Sequence, residues 1–174
     1  MLLDLIDLSK LRRTIVYALL LAATFIVQDL FASQLPAFGV RPMLIPAAVV
    51  GIGLFEGAPW GGMLGLAAGY FGDMGCIEQL VLFTVLFPIA GFFSGVLGKY
   101  ILHKGFVSYM VLTGLTLAMV AMCQMSRVLF FAGSQVTDTW AVWRTGLIQT
   151  LYSLVWAVPV YFPCKLISDR PLRR

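Results

Sequence analysis

Long apolar runs separated by short polar breaks fill almost the whole chain. Thr14 to Leu35 is the first run of membrane-spanning length, and Pro36 closes it because proline cannot continue a helix. Met43 to Phe55 is apolar but short. At about 1.5 Å per residue it covers roughly 20 Å, against ~30 Å of hydrocarbon in a bilayer. Glu56-Gly57 reads as a tight turn, and Pro59 suits the first turn of the helix that follows. Leu80 to Lys99 and Phe106 to about Phe131 are two further spans. Thr145 to Cys164 is the last, interrupted in character by Pro159 and Pro163. The stretches Met74–Gln79, Lys99–Gly105 and Gly133–Trp143 read as loops.

The run from Gly57 to Asp73 has its own pattern. Gly57, Gly61, Gly65 and Gly69 recur every fourth residue and therefore stack on one helix face. In water that face would weaken the helix, since each interior Gly costs about 1 kcal/mol relative to Ala. In lipid it lets a second backbone approach closely, and packing is what joins membrane helices. The face serves either packing within the chain or contact with a partner or ligand. Smaller faces of the same kind are Ala18 and Ala22 in the first span, and Gly91, Gly95 and Gly98 in the fourth.

Composition changes this picture from a set of helices to a class of protein. Of 174 residues, 60% are hydrophobic and 11% charged, with mean hydropathy +0.94. Soluble chains carry about 25% charged residues. The expectation is an all-α polytopic membrane protein of six transmembrane helices, with the second and third spans short. It divides into an N-terminal segment 1–13, a membrane domain 14–165 and a basic tail 166–174. The N-terminal segment is amphipathic, with Asp4 and Asp7 early and Lys10, Arg12 and Arg13 late. It is either a helix on the membrane surface or a frayed tail.

Charge sets the orientation. In a six-span arrangement both ends and the 99–105 loop share a side. That side holds Lys10, Arg12, Arg13, Lys99, Lys104, Lys165, Arg170, Arg173 and Arg174, nine of the chain's 12 basic residues. Arg41, Arg127 and Arg144 lie on the other. The basic side is expected to be cytoplasmic, and the parity is the same if the short pair is re-entrant. The net charge of +4 reflects this topology and not a nucleic-acid footprint.

The chemistry available is sparse. The single histidine, His103, falls in a loop, so no intramembrane nucleophile has a histidine base within reach. Cys76, Cys123 and Cys164 are far apart and read as packing residues, and the carboxylates are scattered rather than clustered as metal ligands. The expectation is a protein that is not an enzyme and has no cofactor or metal. Asp29, Arg41, Asp73, Glu78, Arg127, Asp138 and Arg144 map to the outer side. Asp29, Asp73 and Arg127 fall at or inside the hydrocarbon boundary, where an unpaired charge costs up to ~3 kcal/mol near the centre. They form either ion pairs that lock helix ends, Asp73 with Arg127 among them, or a polar cup open outward.

The order Arg41-Pro42, an apolar run, then Gly61, Gly65, Gly69 and Asp73 resembles the MreD family of bacterial rod-shape-determining membrane proteins. The six-span layout, the basic tail and the proline-containing last span are similar to that family too. Met43 stands where the family often carries an acid or amide. The resemblance implies a scaffold of cell-wall elongation in the bacterial inner membrane. Its partners would be an MreC-like single-span protein, the actin-like MreB, and a wall polymerase and transpeptidase. It also implies a fold similar to the S components of energy-coupling-factor vitamin transporters. That fold supplies an alternative function, with Ala18 and Ala22 as the transporter contact and the cup as a vitamin site. Candidate partner or ligand contacts are Asp29, Arg41, Pro42, Gly61, Gly65, Gly69, Asp73 and Arg127.

Overall fold

The computed structural model describes residues 8–34, 42–74, 82–100, 105–131 and 139–169, which form six α-helices. They are α1 (Leu8–Gln34), α2 (Ile45–Glu56), α3 (Ala58–Met74), α4 (Phe83–Tyr100), α5 (Phe106–Phe131) and α6 (Thr139–Asp169). Among the described residues, three segments are long and apolar enough to cross a membrane: Phe83–Tyr100, Phe106–Ser126 and Trp143–Ser168. Thr14–Leu30 and Ile45–Glu56 are apolar but shorter.

The short helix α2 is the centre of the molecule. Every residue from Ile45 to Phe55 is buried. The run contains no polar side chain, so no face of it gains from meeting water, and it packs against all five other helices. Outside this centre the apolar pattern turns outward. Leu19 and Ile26 on α1, Val111 and Leu115 on α5, and Leu147, Leu151 and Val155 on α6 are all exposed. Apolar surface this extensive fits contact with lipid.

Gly57 alone separates α2 from α3. Its φ of 100° lies in the left-handed region, where a side chain would be strained. Its N–H donates to the Gly53 carbonyl and ends α2. The chain then doubles back, and α3 runs antiparallel to α4. Ala58 lies beside Gly95, Gly61 beside Gly91, Gly65 beside Phe87 and Gly69 beside Phe83. The glycine face of α3 is thus filled by α4. A methyl group on Gly65 would stand 2.6 Å from the Phe87 carbonyl oxygen, so only glycine permits this approach.

The helix limits differ from the sequence expectation most at α1 and α6. α1 starts at Leu8 and passes Thr14 without a break, so residues 8–13 prolong the first helix. Residues 1–7 lie outside the described residues. α6 begins at Thr139, because Trp140 to Trp143 contains no breaker and continues the helix expected only from Thr145. It also runs through Pro159 and Pro163 to Asp169. Prolines are tolerated in apolar helices where neighbours meet the freed backbone groups. Just before Pro159, α6 is also tied to its neighbours: the Tyr109 hydroxyl of α5 stands 3.2 Å from both the Ala157 carbonyl of α6 and the Ala47 carbonyl of α2, sharing its one proton between them.

Candidate functional site: a recess over the N-terminus of α2

Both α2 and α4 begin at the same end of the bundle, and each start is capped by a side chain from another helix. The first N–H groups of a helix have no partner within it. At α2, Gln28 of α1 supplies one: its Oε1 accepts from the N–H of Leu44 at 2.8 Å and of Ile45 at 3.2 Å. The N–H of Met43, just before, donates to Ser153 Oγ of α6 at 2.9 Å. At α4 the partner is Asp73, the last acid of α3. Its Oδ1 accepts from the Phe83 N–H at 3.0 Å. Its Oδ2 accepts from the Thr84 N–H at 2.7 Å and from the Thr84 hydroxyl at 2.6 Å.

Between these two capped ends is a cavity of about 240 Å³. It is lined by Phe25, Gln28 and Asp29 of α1, by Met43, Ile45 and Pro46 at the start of α2, by Phe71 and Gly72 of α3, and by Phe83 and Phe87 of α4. Phe83 and Phe87 stack with ring centroids 5.2 Å apart, while Phe25 and Phe71 meet edge to face at 6.4 Å. Asp29 is exposed at this recess.

The candidate residues named from the sequence fall into separate groups. Asp29 lines the recess, and Pro42 is buried next to Met43, which also lines it. Asp73 caps the helix that contributes Phe83 and Phe87. Gly61, Gly65 and Gly69 are buried against α4. Arg41 lies outside the described residues, as do Glu78 and Asp138. Arg127 falls within α5, but its side chain is not described, so its expected pairing with Asp73 lies outside as well. What holds Asp73 among the described residues is the start of α4.

Sequence reasoning missed Gln28, Ser153 and the four phenylalanines. Gln28 had a signal: it is a second polar residue beside Asp29 in an otherwise apolar span. The phenylalanines had none, since 13 are spread along the chain and any of them could face lipid.

The fold and recess together define an all-helical chain of the membrane class, with a mixed aromatic and carboxylate recess at one end. Compared with known proteins, it matches no family model, no curated protein and no solved structure.

Proposed function

We propose that this chain is an integral-membrane scaffold of bacterial cell-wall elongation that binds the span of an MreC-like partner. In this reading all six helices cross the inner membrane, as an S-component-like bundle with both termini in the cytoplasm. MreB and the wall polymerase and transpeptidase join through the complex. The basis is the resemblance carried by Arg41-Pro42, the Gly61–Gly65–Gly69 spacing and Asp73. The observation that carries it further is which small-residue face is left open. The α3 face is occupied by α4, whereas Ala18 and Ala22 of α1 are exposed and flanked by exposed Ile15, Leu19 and Ile26. A partner helix can approach closely there, because alanines present little beyond the backbone.

The recess favours a second reading, the substrate-binding S component of a vitamin transporter. One experiment separates them. Depletion in a rod-shaped host should give rounded cells with normal vitamin uptake, and Ala18→Leu with Ala22→Leu should lose co-purification of the MreC-like protein. Normal shape with lost vitamin uptake, and co-purification of an ATPase, would favour the transporter.

A further inference from the structure

We propose that the recess over α2 binds a small organic cation, with its charged end against Asp29 and its apolar body among Phe25, Phe71, Phe83 and Phe87. The proposal does not rest on the scaffold reading.

Charge is the first argument. Two helix N-termini meet at the recess, each equivalent to about half a positive charge, and alone they would attract an anion. Neither is open to one. Gln28 Oε1 answers the start of α2, and both oxygens of Asp73 answer the start of α4. Among the described residues, two carboxylates, Asp73 and Asp29, set against two half-charges leave about one negative charge in excess. That excess resides on Asp29. It is exposed, lines the cavity, and has no hydrogen bond or ion pair among the described residues.

The second argument is the lining. Phenyl rings attract cations to their faces, by about 0.5–2 kcal/mol depending on exposure. A wall of four phenylalanines beside one carboxylate suits a group that is both positive and apolar. A metal ion, which wants several oxygen ligands, would find few here.

Size and depth complete it. The cavity, at about 240 Å³, is below the ~300–1,000 Å³ of pockets for drug-sized ligands, so the ligand is small. The recess exists because α2, with 12 residues, rises only about 18 Å from the Gly57 turn, well short of its longer neighbours.

The test uses three probes of nearly equal size and different charge: benzylammonium, benzyl alcohol and benzoate. Binding to the full-length protein in phosphatidylcholine nanodiscs is measured by equilibrium dialysis at pH 7. Benzylammonium is expected to bind about tenfold tighter than the other two. Asp29→Asn should bring it down to the level of benzyl alcohol and leave the melting temperature unchanged. Phe71→Ala alters an exposed ring, so it should fold and weaken benzylammonium binding. Equal binding of the three probes would overturn the proposal. So would a charge preference kept in Asp29→Asn, unchanged affinity in Phe71→Ala, or an Asp29→Asn protein that melts early, which would show the carboxylate engaged within the chain. Co-purification of the MreC-like partner, read on the same preparations, counts for or against the scaffold reading alone.

Discussion

At the scale of single residues, neighbouring glycines of α3 have opposite duties. Gly65 faces α4, where an added methyl would press on the Phe87 carbonyl at 2.6 Å and on Pro88 Cα at 3.0 Å. Both obstacles are backbone, which yields only if the helices move apart. Gly62, three residues earlier, would meet nothing nearer than the Phe92 Cβ at 3.7 Å. Gly65→Ala should therefore destabilise by about 1–3 kcal/mol, the range of overpacked cores. Gly62→Ala should be neutral or gain up to about 1 kcal/mol from helix propensity. Thermal unfolding of the two variants in one detergent compares them directly, and equal melting temperatures would mean that α3 and α4 do not meet at this register. The sequence made this face legible through its four-residue spacing. It did not say what fills the face, because small residues suit a neighbour in the same chain and a separate partner equally.

At the scale of elements, two helix starts are held by side chains from elsewhere, and this was the least legible feature. An acid at the edge of an apolar span calls for positive partners. A cation such as Arg127 and the free N–H groups of a helix both meet that need, and sequence spacing does not choose between them. The bonds to α4 also account for its start at Phe83, since the first two N–H groups of the helix are the ones that Asp73 accepts from. Asp73→Asn keeps one acceptor oxygen and loses the charge. A loss of about 1–2 kcal/mol is expected, with a melting temperature lower by a few degrees. Combined with Thr84→Val, it should show coupling of about 0.5 kcal/mol or more, since the two side chains touch. Additive effects would deny the contact. At α2, Gln28→Leu removes the acceptor of two N–H groups beside a buried helix. A loss of about 1–3 kcal/mol is expected, and hydrogen exchange at Leu44 and Ile45 should quicken before that of the rest of α2.

At the scale of the whole molecule, contacts among the helices assign the chain to two ends. Phe106 in the first turn of α5 packs edge to face on Tyr161 of α6 at 5.2 Å. The Tyr17 hydroxyl of α1 donates to the Cys164 carbonyl of α6 at 3.4 Å. The start of α1, the start of α5 and the finish of α6 therefore share one end. The last turns of α4 join them, as Gly98 lies against Leu54 near the Gly57 turn, and the adjacent Phe55 ring meets Tyr161 of α6 at 5.9 Å. Lys99 and Lys165 belong to this end, and the recess with Gln28, Asp29 and Asp73 belongs to the other. The sequence expectation groups the same chain segments through the sidedness of basic residues; the helix contacts bring Lys99 and Lys165 to one end of the bundle and do not assign that end a side of a membrane. If the bundle crosses a bacterial membrane as a unit, the basic end faces the cytoplasm. Single cysteines placed at Ser9, Ser108 and Ser168, in a chain whose Cys76, Cys123 and Cys164 have been replaced by alanine, should then react with a membrane-impermeant maleimide only after the cells are opened. A cysteine at Thr137 should react in intact cells. Labelling of Ser9 and Ser108 on one side and Ser168 on the other would break the shared end that the Tyr17 and Phe106 contacts define. Labelling of all three from outside would keep the bundle intact and invert it, placing the recess toward the cytoplasm.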